Sequence, residues 1–474
     1  MESKLSMNRR GFLSTIGGAA LFGGMPAFAQ AAGYDQYGGW MGMQFGATGF
    51  FRLEKTDRWW FVTPEGHPFL SFGLNHAGIG MMLYPYNKAF WAKEFGVSPD
   101  AGNQAFMPGF ERKVKADIAA FGFNALGCHT SLHKSMPTFM PYVANMHIMN
   151  IAHWKDPDED NFPDVFTDDF AAHCDRIAKR EASPLRDDPY LLGYSFVDGP
   201  IFTDREAAVR DTTIYGSARA GSTTFPRKLR NLGETSPGKR VYMETVKQIY
   251  DGDITRFNST YNTNFRSFDA LLRAENWKWR ADPSNTRESR DNMAFLLKVI
   301  DHYQRTAIAA VRKYDANHLI YGDKLNGNVE QPDEILRAYA RHYDIFFLQF
   351  YGNWHDVNSW VNRITTVTGQ PTLLGDGAFA VPYKEMPNPL GPQCIDQETR
   401  ARHFRETFYQ VYARPDFVGW DWCGWMDRWE EVQPMRQHAG FQDPFGEYNQ
   451  PIAAELKKFS ECLYDVATGV YKGE

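Results

Sequence analysis

The feature that most constrains the fold of this 474-residue chain is a series of short apolar segments, most of which end in a polar residue. Eight such segments alternate with stretches that carry apolar residues at helical spacing. Strands that alternate with helices form a parallel sheet, and eight of them predict a closed (β/α)₈ TIM barrel of the α/β class. A doubly wound open sheet is the alternative, but no glycine-rich nucleotide-binding motif follows a strand.

We predict strands at Phe69–His76, Phe121–Gly127, His147–Ala152, Tyr190–Val197, His318–Gly322, Asp344–Phe350, Pro371–Gly375 and Phe417–Trp422. Helices are predicted at Glu111–Ala120, Asp168–Glu181, Asp291–Tyr314, Pro332–His342 and Gln397–Ala413. A polar insertion, 201–290, follows the fourth strand, and a structureless loop of that length is uncommon. We therefore expect a lid or helical subdomain there, an N-terminal extension with a β-hairpin over 32–68, and a barrel over 69–474.

The N-terminus has the pattern of an export signal. Arg9 and Arg10 precede Phe12, Leu13 and a short run rich in glycine and alanine, and small-residue cleavage patterns follow near Ala29. Paired arginines before such a run are typical of a twin-arginine signal. We expect residues 1–31 to engage the twin-arginine export machinery and the folded protein to reach the periplasm. The run is too short to span a bilayer, so no membrane association is expected after signal removal.

Charge and cysteine usage narrow the choice of partners. The net charge is −6 and no long basic run occurs, which argues against a nucleic-acid partner. The five cysteines include no pair with CxxC spacing, so a structural zinc site is not expected. Their odd number also argues against a disulfide scaffold.

Polar residues at the predicted strand ends indicate an active site, because barrel enzymes place their sites at the C-terminal ends of the strands. Buried charges are costly unless they are paired or used, so their accumulation at equivalent positions favours function. Two tryptophans near the eighth strand end are candidate platforms for sugar rings, although aromatic residues of this kind also build cores. The residues concerned are Asn75, His76, His129, His153, Asp198, Asp323, Tyr351, Asp376, Asp421, Trp420 and Trp422.

Several segments, taken in order, resemble the agarase-type glycoside hydrolases, which belong to the large clan of retaining glycosidases on (β/α)₈ barrels. The segments are Trp60–His76, Phe162–Phe166, Asp188–Tyr194, Ile254–Asn258, Phe268–Leu271, Tyr351, Gly419–Trp422 and Met426–Asp427. The resemblance covers roughly residues 50 to 460. It implies a glycoside hydrolase that cleaves β-linked, galactan-type oligosaccharides.

The chain departs from that clan at both catalytic positions. The clan ends strand four with an Asn-Glu pair, whose Glu is the acid/base, and this chain has Gly199 and Pro200 there. The clan ends strand seven with a nucleophilic Glu, and this chain has Asp376. The resemblance therefore implies Asp376 as nucleophile or base, and Asp198 is the nearest candidate proton donor. We expect the shorter Asp376 and the deeper Asp198 to lie farther apart than a retaining pair, which suits inversion.

The remaining candidates are assigned to substrate. Asn75, Asp323 and Tyr351 are expected to bind sugar hydroxyls. His76 and His129 could do the same, act as acid or base, or hold a metal with an Asp. Neither a metal nor another cofactor is the favoured expectation. Two alternatives stay open: a carbohydrate lyase with His129 or Tyr351 as base, and a sugar-binding protein without catalytic activity.

Overall fold

The computed structural model describes residues 33–149, 163–200, 225–278, 285–328, 331–429 and 438–471. Eight parallel strands close into a barrel, and the predicted (β/α)₈ fold is confirmed. The barrel strands are β4 (Ser71–Asn75), β5 (Ala125–Leu126), β6 (Tyr142–Asn145), β7 (Leu191–Asp198), β8 (Leu319–Asn326), β9 (Phe346–Gln349), β10 (Thr372–Gly377) and β11 (Phe417–Cys423). β11 pairs with β4, so the sheet has no free edge.

A small antiparallel sheet lies at the N-terminal end of the barrel. It consists of β1 (Arg52–Lys55), β2 (Trp59–Val62) and β3 (Pro68–Phe69). The Phe61 ring lies 6.1 Å from that of Tyr321, a residue near the start of β8. The backbone amide of Trp59 donates to Pro415, just before β11. This sheet leaves the C-terminal mouth uncovered.

Twelve α-helices occur in the described part of the chain. They are α1 (Lys88–Phe95), α2 (Asn103–Phe121), α3 (Asp168–Glu181), α4 (Phe225–Arg230), α5 (Pro237–Ile249), α6 (Ile254–Tyr261), α7 (Phe268–Arg273), α8 (Thr286–Arg312), α9 (Asp333–Ala340), α10 (Trp354–Thr368), α11 (Gln397–Tyr412) and α12 (Ile452–Ala467). None of these helices is long and apolar enough to cross a membrane.

The helices α4–α7 belong to the long insertion after β7; α4, α5 and α6 pack against α8, and α7 packs against α5. The buried Arg230 side chain, on α4, donates to Glu288 at 3.1 Å and to Asn292 at 3.0 Å, both on α8. The side chain of Asn285 caps α8 by accepting from two backbone amides of its first turn. The helical part of the insertion is thus joined to the barrel by buried polar contacts.

The predicted third strand is wrong in position. The barrel strand is β6, Tyr142–Asn145, which is fully buried and pairs with β7. His147 has a φ of 49°, a left-handed conformation that an extended strand does not adopt. Residues 150–162 lie outside the described residues, and with them His153 and Trp154.

The predicted fifth strand ends too early. β8 continues to Asn326, and its pairing with β7 shifts register between Ile320 and Gly322. Gly322 has a φ of 69°, as expected for a bulge that needs a residue without a Cβ. The bulge turns Asp323 outward to the hydroxyls of Tyr303 and Tyr343. It brings Lys324, a residue absent from the predicted site, into the barrel.

Candidate active site

Four strand ends place polar side chains together at the C-terminal mouth. Asn75 ends β4, Asp198 ends β7, Lys324 lies near the end of β8, and Asp376 lies near the end of β10. Parallel strands in a barrel bring these ends to one rim, as the sequence pattern predicts. His129, which follows β5, reaches the same cluster through its Nε2 atom.

Lys324 is the centre of the cluster. Its Nζ lies 2.8 Å from Asp198 Oδ1, 3.1 Å from Asp376 Oδ2 and 2.5 Å from His129 Nε2. The Lys324 side chain is buried, so these contacts replace hydration of the ammonium. One cation therefore joins two carboxylates and an imidazole.

The charges fix the protonation of the two carboxylates. Burial alone would raise the pKa of Asp198 and of Asp376, but Lys324 and the neighbouring imidazoles outweigh it and hold both pKa values below their usual range. Burial opposes the charge of Lys324, yet the same carboxylates raise its pKa. Asp198 and Asp376 are consequently ionised at neutral pH, and an ionised Asp198 cannot donate the proton assigned to it above.

The two carboxylates are closer than the sequence suggests. Both contact one Lys324 nitrogen, so the contacting oxygens lie within about 6 Å of each other, below the separation of about 6.5–9.5 Å typical of inverting pairs. The expected wider gap is therefore not found. The long side chain of Lys324 holds the carboxylates together, and its approach depends on the bulge at Gly322.

Asn75 positions its neighbours through its amide group. Its Nδ2 donates to the carbonyl of Gly375 at 2.7 Å and to Asp376 Oδ1 at 3.3 Å. Its Oδ1 accepts from the backbone amide of His129 at 3.0 Å. Asn75 is fully buried, and each of these contacts is to another part of the protein.

Two histidines stack beside the carboxylates. The rings of His76 and His129 are nearly parallel, with centroids 4.6 Å apart. His76 has a φ of 56° and places its Nε2 atom 3.9 Å from Asp376 Oδ2. Burial lowers the pKa of His76, so its ring is neutral at pH 7.

A second group, not predicted from the sequence, adjoins His76. Cys423 ends β11, and its Sγ lies 3.1 Å from His438 Nδ1 and 3.1 Å from the hydroxyl of Tyr351. The His438 ring is 4.3 Å from that of His76. Tyr351 is thus at the mouth as predicted, but its hydroxyl contacts a thiol. Of Cys423 and His438, only Cys423 could have been found from the sequence, because strand alternation turns it to the same inner face of the barrel as Asp421.

Three predicted substrate-binding residues lie elsewhere. Asp323 is outside the barrel wall, where burial raises its pKa to about 7. Trp420 and Trp422 are buried, with rings against Phe408 and Phe404 of α11. They alternate with the inward-facing Asp421 and Cys423, so strand geometry turns them towards the helices. All three belong to the packing of the barrel.

Asp421 forms a buried layer next to Asn75 and Asp376. It accepts a hydrogen bond from Ser71 at 3.4 Å. Burial raises its pKa to about 7, and the negative charge of Asp376 adds to the effect. Asp421 is completely enclosed, so substrate cannot contact it directly.

Gly199 and Pro200, the described residues that follow β7, provide no replacement for the missing acid. Gly199 has a φ of 57°, and its amide donates to the carbonyl of Lys324 at 2.9 Å. Pro200 follows and offers no ionisable group. Among the described residues at this mouth, Lys324, His129 and His76 lie 3.1, 3.5 and 3.9 Å from Asp376 Oδ2, and the Cys423 thiol also hydrogen-bonds to Asp376.

The fold has known counterparts. No family model matches the chain. Beta-agarase B of Vibrio sp. (strain JT0107) is 20% identical over 524 residues, covering 95% of this chain and 52% of the relative. The chain therefore spans about half the length of the curated relative that it matches.

Solved agarase structures have the same fold. An agarase crystal structure superposes with a TM-score of 0.73 at 18% identity, covering 92% of this chain and 68% of that one. An exo-beta-agarase superposes with a TM-score of 0.75 at 17% identity, covering 94% and 69%. At these identities the similarity establishes the barrel fold alone.

Proposed function

We propose that this protein is a glycoside hydrolase that cleaves β-linked, galactan-type oligosaccharides in the periplasm after twin-arginine export. The observation that carries the proposal is the ionised carboxylate of Asp376, near the end of β10, which is the seventh strand of an agarase-like barrel. Asn75 and Lys324 hold its two oxygens from different sides. A fixed carboxylate at this position suits attack on an anomeric carbon.

Asp376 is the nucleophile in this proposal. Its Oδ atom forms a bond to the anomeric carbon as the glycosidic C–O bond breaks. Lys324 fills the space between the carboxylates, so little room is left there for the water that an inverting enzyme activates. The proposal therefore assigns retention of configuration, in place of the inversion suggested by the sequence.

His129 is the proton donor. Its Nε2 lies 3.4 Å from Asp198 and 3.5 Å from Asp376, and two carboxylates at this distance favour the protonated ring. The ring shares a proton with Lys324 across a 2.5 Å contact. It is also more exposed than Lys324, with 16% against 1% of the side chain accessible. Asp198 is then the counter-ion that keeps the shared proton on the Lys324–His129 pair.

The experiment uses substrates that differ in their leaving group. Wild-type protein is incubated with neutral galactan oligosaccharides and with aryl galactosides, and new reducing ends are counted. The His129→Ala variant should lose about 10²–10⁴-fold in turnover on oligosaccharides. It should lose much less on aryl substrates, whose leaving groups need no proton. Equal losses on both substrates would remove His129 from the role of donor.

Two other outcomes distinguish the alternatives. Lys324 forms ion pairs with both Asp198 and Asp376, so each of these three charges already has a partner. This arrangement also suits a sugar-binding protein without turnover. Such a protein would bind oligosaccharides and release no reducing ends. A lyase would instead release unsaturated sugars that absorb ultraviolet light. Either outcome would contradict hydrolysis.

A further inference from the structure

His76, Cys423 and His438 form a compact group of metal-ligating side chains beside the carboxylates. One potential ligand atom from each residue lies within 4.8 Å of the others. Cys423 Sγ and His438 Nδ1 are 3.1 Å apart. The proposed mechanism uses none of these three side chains.

The backbone holds all three residues in place. Cys423 pairs with Asn75 in the register between β11 and β4, which puts it next to His76. The carbonyl of His438 accepts a hydrogen bond from Arg428 at 2.9 Å, and the nearby Gly440 amide donates to Asp427 at 2.7 Å. Little rearrangement is therefore needed to bring the ligand atoms around one centre.

The Nε2 atom of His76 is an unsatisfied buried polar atom. It is buried and makes no hydrogen bond within the described residues, and its nearest carboxylate oxygen, on Asp376, is 3.9 Å away. That distance is too long for a hydrogen bond. A left-handed backbone conformation at His76 accompanies this placement. Buried polar atoms normally have partners, so the atom is suited to a ligand.

We propose that His76, Cys423 and His438 bind one zinc ion, with the fourth coordination position open towards Asp376. Two imidazoles and one thiolate suit zinc and related borderline metals, whereas calcium and magnesium prefer oxygen ligands. Three protein ligands and one open position are typical of zinc sites that bind a further molecule. The Tyr351 hydroxyl, 3.1 Å from Sγ, would donate to the bound thiolate.

A neighbouring combination of ligands is less suitable. His76, His129 and Asp376 also lie within 4.8 Å of one another. However, Lys324 Nζ lies 2.5 Å from His129 Nε2 and 3.1 Å from Asp376 Oδ2. An ammonium thus already occupies the side of these atoms where a cation would bind.

The binding experiment uses the full protein, purified in the absence of chelators. After equilibration with zinc and removal of the excess, elemental analysis should give one zinc per chain. Replacement by cobalt(II) should produce a thiolate-to-cobalt charge-transfer band. The Cys423→Ser and His438→Ala variants should each bind zinc at least about 10-fold more weakly and lose or shift this band.

Matched controls separate the site from general thiol and imidazole binding. Cys462→Ser and His355→Ala alter residues outside this group and should keep one zinc per chain. Circular dichroism and cooperative thermal unfolding in the absence of zinc verify that the variants fold. Wild-type protein without stoichiometric zinc, or Cys423→Ser with wild-type affinity, would overturn the proposal. Because metal content is measured directly, the result does not depend on hydrolase activity.

Discussion

At the residue scale, Lys324 controls the charge state of the mouth. It is a buried cation whose partners are the buried carboxylates of Asp198 and Asp376. Without Lys324, it would cost more free energy to keep either carboxylate ionised. A pair of carboxylates this close would otherwise share a proton. The proposed reaction requires an ionised Asp376, and the ionisation of Asp376 therefore depends on Lys324.

Replacing Lys324 with Met should destabilise the protein at neutral pH by about 3–5 kcal/mol, because two buried carboxylates lose their cation. In the wild type, the lowered pKa values of Asp198 and Asp376 give stability that is present above the unfolded pKa, about 4, and lost as pH falls through the folded values. In the variant these pKa values rise. Its deficit should therefore shrink between pH 7 and pH 4.5 in urea unfolding.

The matched control for this prediction is Lys313→Met. Lys313 pairs with Asp175 on the surface, with 61% and 38% of their side chains exposed. Solvent screens such a pair, so little change in stability is expected at either pH. A Lys324→Met variant as stable as Lys313→Met, or one whose deficit grows towards pH 4.5, would contradict the electrostatic role.

At the element scale, the pattern of strands and helices was predictable because every barrel strand is buried and so needs apolar residues, which are visible in the sequence. The first, second, fourth, sixth, seventh and eighth predicted strands each overlap a barrel strand. The third and fifth were wrong in position or length, because each depends on a local backbone conformation. The left-handed backbone conformation of His147 and the bulge at Gly322 cannot be recognised from the hydrophobic periodicity of the sequence.

The same distinction explains the candidate site. Asn75, Asp198 and Asp376 were predictable because each stands near a strand end. Lys324 was missed because simple alternation from Tyr321 would direct Asp323 inward. Contacts between Cys423 and His438 were missed because they join residues from a strand and a loop, and no sequence spacing encodes that distance.

Gly322→Ala tests the importance of the bulge. A Cβ at this position would meet the ring of Tyr343 at 2.2 Å, and the φ of 69° is unfavourable for alanine. We expect a loss of stability larger than the backbone term of about 1–2 kcal/mol, together with lower activity from displacement of Lys324.

Gly369→Ala is the appropriate comparison for Gly322→Ala. Gly369 has a φ of 74°, and a Cβ there would meet nothing within 4 Å, so only the backbone term applies. Urea unfolding of both variants measures the difference between them. Equal losses in stability would show that packing around the bulge is unimportant.

At the scale of the whole molecule, the chain combines an agarase-like barrel with an export signal predicted from Arg9 and Arg10. Residues 1–32 lie outside the described residues, so the signal remains a prediction. Twin-arginine export carries folded proteins, which is compatible with a barrel whose first and last strands, β4 and β11, must pair before it closes.

Replacing Arg9 and Arg10 with Lys should leave the uncleaved precursor in the cytoplasm, because the paired arginines are the recognised feature of the signal. Fractionation followed by immunoblotting measures the distribution and the size of the product. The wild-type chain, expressed at the same level, provides the control. Normal amounts of processed double variant in the periplasm would contradict the assignment.

The activity of the Asp376→Asn variant bears most directly on the proposed function. The substitution preserves shape and removes the negative charge, and kcat/KM on β-linked galactan oligosaccharides is measured beside Asp323→Asn, a buried Asp outside the mouth. We predict that Asp376→Asn folds and loses at least about 10²–10⁴-fold in kcat/KM, whereas Asp323→Asn stays near wild type. Near-normal turnover by Asp376→Asn would contradict the proposal that this carboxylate carries out the reaction.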